Sequence, residues 1–238
     1  MSAAQSLLLV QAESEFDQAV VDHYVSANVN VILIAPSAQF QSQNVALPSL
    51  SLAEIQAQDE PDIQLLLTEK GLLDNGQPLV VIQGVQCANE QALFTDESCL
   101  AQITTYLDNT FVIYQSLATF VKEVGANIVF PLYSDSLSYL GQEVNSVANH
   151  ALNAFMKTLA RELTSDTVFI NSAVIPYLAK DEAERKKMRR ALKRSVFGMR
   201  PTVFLQQEFI EFIAHFSHYN NMMTGQCMTM RPSTEISV

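Results

Sequence analysis

The sequence predicts an α/β fold in which one doubly wound parallel sheet of six to seven strands carries helices on both faces. Short runs of β-branched and apolar residues alternate with amphipathic helical segments along the chain, the order expected of a βαβ protein. The chain has 238 residues, and 48% of them are hydrophobic, which is enough for a single large core. We therefore expect one domain over residues 1–238, with a flap at about 177–200 inserted before the last helix and strand.

The first half of the chain opens with a β-α-β pattern. Residues 7–10 and 29–35 are apolar runs typical of buried strands, and residues 16–27 between them carry apolar side chains at helical spacing. Residues 79–82 predict a further buried strand, whereas residues 44–67 fit no single element. The pattern predicts the opening half of a doubly wound sheet.

The second half alternates helix and strand in the same way. Residues 101–124 predict a long helix, and residues 127–130 predict the strand after it. From 146 to 163 apolar residues recur every three or four positions, which predicts a helix buried along one side. Residues 167–176 form a β-branched run that Pro176 ends, as expected of a strand buried on both faces of a parallel sheet.

Three segments of this second half carry a specific pattern. They are residues 151–163 (ALNAFMKTLAREL), residues 170–176 (INSAVIP) and residues 223–230 (MTGQCMTM), with Gly141 and Gln142 shortly before the first of them. The segments resemble the β-ketoacyl-acyl-carrier-protein reductase branch of the short-chain dehydrogenases/reductases. This resemblance implies a single Rossmann-like domain whose closing strand follows the Thr-Gly turn.

At the positions of that family's cofactor-binding glycines, the chain carries other residue types. Ala12, Phe16 and Gln18 replace the three glycines of the first turn, where bare backbone normally meets the cofactor diphosphate. The acidic residues beside them would repel phosphate, although they also suit the start of a helix; they are Glu13, Glu15 and Asp17. We therefore expect NAD(P) binding to be lost and no cofactor to be bound.

Two further contacts with the cofactor depart from the family pattern. Ile82, Gln83 and Gly84 stand where the family has Asn-Asn-Ala-Gly, and Tyr177 replaces the glycine that follows Pro176. A tyrosine at that position would crowd the nicotinamide side of the cleft. Both changes favour the same expectation of a degenerate cofactor site.

The catalytic positions implied by the resemblance are changed as well. Leu132, Asn145 and Asn149 occupy the places of the family's Ser-Tyr-Lys set. An asparagine cannot replace a phenol whose pKa is lowered by a neighbouring ammonium group. Substitutes would have to come from hydroxyl and imidazole groups near the same cleft, and the candidates are Ser134, Tyr139 and His150.

These changes lead to one functional hypothesis and one alternative. We expect a non-catalytic partner or scaffold subunit of a reductase-type system, fatty-acid or polyketide-like, because the core pattern is kept while the site pattern is not. The alternative is an oxidoreductase, or a cofactor-independent enzyme, that uses the same cleft with non-standard residues.

Three scattered cysteines without C-x-x-C spacing predict no metal site.

Positive charge is concentrated in one segment of an acidic chain. The net charge of −11 at pH 7 argues against nucleic acid as a partner. Half of the basic residues fall within ten positions, and they are Arg185, Lys186, Lys187, Arg189, Arg190, Lys193 and Arg194. They predict either a docking face for an acidic partner such as an acyl carrier protein, or a solvated helix balanced by Asp181, Glu182 and Glu184.

Assembly and location are expectations from composition and from the resemblance. No apolar run is long enough to cross a bilayer, and no leader segment is recognised at the start, which predicts a soluble, cytoplasmic protein. The helices at 101–124 and 146–163 correspond to the family's assembly helices. We expect a homodimer, a homotetramer or a hetero-oligomer with an active short-chain dehydrogenase.

Overall fold

A parallel sheet forms the centre of the protein. The computed structural model describes residues 6–56, 63–72, 79–85, 97–134, 137, 140, 146–163, 167–196, 200–219 and 222–230. The strands of the sheet are β1 (Ser6–Val10), β2 (Asn30–Ile34), β3 (Ser49–Leu50), β4 (Leu79–Gln83), β5 (Ala126–Tyr133), β6 (Val168–Ile175) and β9 (Cys227–Thr229). Within the described residues these seven strands pair in parallel, in the order β3-β2-β1-β4-β5-β6-β9. The predicted fold class is confirmed.

Helices cover both faces of this sheet. They are α1 (Glu15–Ser26), α2 (Ala38–Gln43), α3 (Leu52–Gln56), α4 (Ile63–Glu69), α5 (Glu97–Val124), α6 (Ser146–Glu162), α7 (Glu182–Ser195) and α8 (Gln206–Tyr219). One core cluster packs α3, α4, α5 and α6 against the sheet, and a second packs α1 and α8 against the opposite face, whereas α7 packs in a separate third cluster. The three-layer arrangement follows from parallel strands whose crossover helices return on either side.

The first strand shows why the strands read as unbroken apolar runs. Leu8 and Val10 face the α5 side of the sheet, whereas Leu7 and Leu9 face the α1 side. Successive side chains of a strand point to opposite faces, and here both faces are covered. Every residue of β1 is therefore buried.

The flap predicted at 177–200 has a small sheet of its own. Strand β7 (Tyr177–Ala179) pairs in parallel with β8 (Val203–Leu205), and α7 lies between them in the chain. Tyr177, Leu192 and Val203 belong to a third apolar cluster at this point. The short strands escaped the sequence prediction because three residues are too few to show a period of two.

The ambiguous region 44–67 resolves into short elements. It contains β3, α3 and the start of α4, while residues 57–62 lie outside the described part. Elements of two to seven residues carry too few positions for a reliable periodic signal.

None of the helices in the described ranges combines the length and apolar composition needed to cross a membrane.

Candidate functional site

A cavity of about 1080 Å³ opens at the carboxyl ends of the first strands. It lies where β1, β2 and β3 end, beside the part of α5 between Ala101 and Asn109. Ligands of doubly wound sheets bind at this edge, next to the point where the strand order reverses, and here the order reverses between β1 and β4. The lining residues are Gln11, Glu13, Ala35, Pro36, Ser37, Ala38, Gln39, Gln41, Ser49, Ser51, Leu52, Ala101, Gln102, Thr105, Tyr106 and Asn109.

The inner wall of the cavity is a buried polar network. Gln11 has a positive φ of 53°, and its Nε2 donates to the carbonyl oxygen of Tyr106 at 3.2 Å. Gln83 donates through Nε2 to Oε1 of Gln11 at 3.0 Å and to the hydroxyl of Tyr106 at 2.9 Å. The Thr110 hydroxyl donates to the same Gln11 oxygen at 2.6 Å. These bonds fix the ends of β1 and β4 to α5.

Two amide oxygens near the cavity have no hydrogen-bond partner in the described part of the chain. They are Oε1 of Gln41, which lines the cavity, and Oε1 of Gln83, which lies in the network beside it. Both are shielded from solvent. A buried acceptor without a donor costs about 1–3 kcal/mol, so each of these oxygens reduces the stability of the fold at this point.

The turn after β1 is organised by the carboxylate of Asp17. Ser14 caps α1 and forms a capping box with Asp17. Asp17 accepts from the backbone N–H groups of Glu13 and Ser14, each at 2.9 Å, and from that of Val85 at 3.1 Å. The carboxyl group therefore joins the start of α1 to the chain that follows β4.

Burial and hydrogen bonding act in opposite directions on this carboxyl group. Asp17 is only 1% exposed, and its burial raises the pKa to about 6, although the backbone donors of Glu13, Ser14 and Val85 lower it. At neutral pH the group is thus mostly ionised. Its charge sits at the amino-terminal end of α1, where the helix dipole favours an anion.

The three residues at the family's glycine positions do not fill the cavity. Ala12 and Phe16 belong to the apolar core, where the Phe16 ring centroid lies 5.9 Å from that of Phe209. Gln18 donates to Asp22 at 2.9 Å and to Asn44 at 3.3 Å, away from the cavity lining. Neither Phe16 nor Gln18 enters the cavity, because α1 directs the first into the core and the second toward Asn44.

The second group of predicted cofactor positions lies at the end of β4 and in the flap. Ile82 is part of the core, and Gln83 belongs to the polar network. The N–H of Gly84 donates to the carbonyl oxygen of Val10 at 2.6 Å. Tyr177 is fully buried in the apolar cluster of the flap.

The predicted catalytic positions gather at the end of β5, but Asn145 and Tyr139 lie outside the described residues. Leu132 is a core residue. Asn149 donates through Nδ2 to the carbonyl oxygen of Tyr133 at 3.2 Å and accepts from its N–H at 3.3 Å. Ser134 is buried directly after β5, whereas His150 is exposed on α6.

Six of the predicted basic residues form an exposed cationic face on α7. Arg185 differs, because it pairs with Glu182 and lies 3.3 Å from Glu208. The exposed cations are Lys186, Lys187, Arg189, Arg190, Lys193 and Arg194. An acidic partner at this face and assembly through α5 and α6 both stay predictions.

No group of three metal-binding side chains occurs among the residues that the structure describes.

Asp17 is the site residue whose role the sequence argument missed. It was counted as one of three charges that would repel phosphate, not as a buried acceptor. The signal was present, because Ser14 and Asp17 have the S-x-x-D spacing of a capping box. The donor from Val85 could not be anticipated, since it comes from a distant part of the chain.

Comparison with solved structures identifies the fold. A short-chain dehydrogenase from Leptospira borgpetersenii with bound NAD+ is 12% identical, with a TM-score of 0.64 over 95% of this chain and 91% of that one. L-Sorbose reductase from Gluconobacter frateurii, complexed with NADPH and L-sorbose, is 14% identical, with a TM-score of 0.64 over 96% and 95%. This chain has the short-chain dehydrogenase/reductase fold.

A third structure matches the branch that the sequence resembles. A 3-ketoacyl-(acyl-carrier-protein) reductase from Brucella melitensis, complexed with NADH, is 13% identical and has a TM-score of 0.64 over 94% of this chain and 96% of that one. No family model matches the chain, and no curated protein sequence matches it. The similarity that the comparisons detect is therefore a similarity of fold.

These neighbours contradict two of the sequence predictions. The chain was expected to bind no cofactor and to act as a non-catalytic partner, yet proteins that share its fold over nearly its whole length are dehydrogenases and reductases with bound NAD+, NADPH or NADH. The physical reason lies in the cavity. Its walls come from β2, β3 and α5 as well as from the first turn, so changing the glycines does not remove it.

Proposed function

We propose that the protein is an oxidoreductase that binds a nicotinamide dinucleotide at the carboxyl edge of its sheet, with non-standard residues around the cleft. The cavity beside the end of β2 carries this proposal. In doubly wound dinucleotide-binding folds, the residue at the end of the second strand contacts the adenosine ribose. The oxidoreductases with the same fold and a bound nicotinamide cofactor support the assignment.

The cavity has the size and the polar groups that adenosine requires. Its volume of about 1080 Å³ exceeds the usual range for small-ligand sites of roughly 300–1,000 Å³. The side-chain amides of Gln39, Gln102 and Asn109 belong to the lining and can form hydrogen bonds with the adenine base and the ribose. Apolar surface from Ala35, Pro36 and Leu52 can contact the faces of the base.

The end of β5, which lies outside the lining of the cavity, supplies the candidate chemistry. A nicotinamide ring bound there would supply the hydride donor or acceptor. Ser134 carries a hydroxyl directly after β5 and is our candidate for contact with a substrate oxygen. Asn149 holds both backbone groups of the neighbouring Tyr133, so it positions the end of the strand and carries no charge of its own.

We expect NADH to bind with a Kd of about 100 µM, corresponding to roughly −5.5 kcal/mol, and NADPH to bind at least about tenfold more weakly. Glu13 is the charged residue among the described lining, and this lining contains no Lys or Arg to hold a 2′-phosphate. Calorimetric titration of both cofactors measures the two constants. The absence of heat from both up to millimolar concentration would contradict the proposed function.

Two glutamates of the same turn supply matched variants that test the discrimination between NADH and NADPH. Glu13→Gln removes a negative charge that would repel both the diphosphate and the 2′-phosphate, so at low salt it is expected to strengthen NADPH binding roughly threefold and NADH binding by a smaller factor. Glu15→Gln removes the same charge, but Glu15 bonds to Lys180 outside the cavity lining, so the ratio of the two affinities should stay the same. Equal effects of the two variants would show that Glu13 has no local role.

A further inference from the structure

The start of α1 already holds an anion that belongs to the chain. In doubly wound folds, backbone N–H groups at this position bind the diphosphate of a dinucleotide. Here the N–H groups of Glu13 and Ser14 donate to the carboxylate of Asp17, and the N–H of Val85 donates to it from the other side. The donors that a diphosphate would use are satisfied internally.

The crevice between β1 and β4 is also closed at this level. The N–H of Gly84 bonds to the carbonyl oxygen of Val10 at 2.6 Å, and the side chains of Gln83 and Gln11 are bonded at 3.0 Å. A methyl group added at Gly84 would lie 2.6 Å from the carbonyl oxygen of Gln11. The ends of the two strands are therefore in direct contact at this level.

The adenosine side of the cleft is open by contrast. The cavity extends from Gln11 past the end of β2 to Ser51. Adenosine brings N–H and O–H donors and no charge. A diphosphate would bring negative charge close to Asp17 and Glu13, without a Lys or Arg in the described lining to balance it.

We propose that Asp17 is a specificity-determining residue that replaces the diphosphate at the start of α1, so that the cleft holds its nucleotide mainly by the adenosine half. This inference rests on the proposed function, because it names how the same cleft grips its cofactor. It predicts a ligand series unlike that of a site built around a diphosphate. Phosphate groups should add little affinity to adenosine.

The wild-type protein tests this with four probes: adenosine, AMP, ADP and NADH, each titrated by calorimetry at pH 7.5. We expect the Kd values of adenosine, AMP and ADP to agree within about threefold. An ADP affinity more than about tenfold above that of adenosine would overturn the inference while supporting the proposed function. This series requires no variant, so its outcome does not depend on how a substitution folds.

Asp17→Ala supplies the second arm, with Asp22→Asn as the matched control. Removal of the Asp17 carboxylate frees the backbone donors, and we expect ADP and NADH to bind about tenfold more tightly while adenosine binding stays unchanged. Asp22 is an exposed carboxylate on the same helix, so its variant reports the effect of charge alone and should change ADP binding less than twofold. Equal gains in both variants would overturn the role of Asp17.

Failure of the inference and failure of the proposed function remain distinguishable. If the wild type binds none of the four probes but Asp17→Ala binds ADP, the role of Asp17 holds and the proposed function of the natural chain is overturned. If neither protein binds any probe, both are overturned. Circular dichroism of each variant establishes that it is folded before it is titrated.

Discussion

The wild-type protein is expected to lose about 3 kcal/mol of its free energy of unfolding, relative to an Asp17→Asn variant, as the pH rises from about 3.5 to about 7. Burial raises the pKa of the Asp17 carboxyl from its ordinary 3.8 to about 6 in the folded protein. The folded state therefore holds the proton more tightly than the unfolded chain does. The resulting stabilisation is complete below pH 3.8 and is lost as the pH passes through the folded pKa.

Urea unfolding of both proteins at half-unit intervals from pH 3.5 to 8 measures this difference. The remaining titratable groups are common to the two proteins, so their contributions cancel in the comparison. Parallel profiles would show that Asp17 does not titrate in this range. A wild type that gains stability with rising pH would show that the three backbone donors outweigh burial and lower the pKa instead.

Gly84→Ala is expected to destabilise the protein by about 3 kcal/mol, because overpacking of a closely packed site costs of this order. The added carbon would lie 2.6 Å from the carbonyl oxygen of Gln11 and 2.8 Å from that of Val10. Both obstacles are backbone atoms of the turn after β1, which cannot rotate away as a side chain could. The ends of β1 and β4 would have to separate.

The free energy of unfolding from urea titration measures this effect, and Gly71→Ala is the control. Gly71 has a φ of +91° and no atom within 4 Å of the added carbon, so its variant carries only the backbone penalty of about 1 kcal/mol. A cost for Gly84→Ala no larger than that for Gly71→Ala would mean that β1 and β4 can move apart easily. The crevice between them would then be able to open.

Asp17 and Gly84 contribute to the same contact between the turn after β1 and the chain after β4. Gly84 lets the chain after β4 approach β1, and this approach brings the N–H of Val85 within 3.1 Å of the Asp17 carboxylate. A change at either residue should therefore affect the other's contacts. The first turn of this protein is stabilised by its own side chains where a dinucleotide enzyme leaves backbone available.

The periodicity of the sequence was sufficient to predict the fold. Strands buried on both faces read as mainly apolar runs, as in β1 and in β6, which also contains Asn171 and Ser172, while α5 and α6 show apolar residues every three or four positions. These patterns can be read from short segments, because the side of a helix or strand that is buried carries apolar residues at a regular spacing. The short strands β7 and β8 of the flap were missed, since three residues show no period.

The same local patterns misjudged the cleft. Substitution of the glycines by Ala12, Phe16 and Gln18 predicted the loss of NAD(P) binding, but α1 directs Phe16 into the core and Gln18 toward Asn44, and a cavity remains beside this turn. Whether a large side chain blocks a cleft depends on the direction in which that side chain points from its helix. The residue type alone does not determine this direction.

By itself, then, the sequence determined the order of strands and helices, the faces they bury and the capping box that starts α1. Only the tertiary structure decided that the Asp17 carboxylate meets the N–H of Val85, 68 positions away, and that a cavity remains beside Gln41. The physical reason is the strand order. The sheet places β4 beside β1, and groups that are far apart in the chain become neighbours only when that sheet has formed.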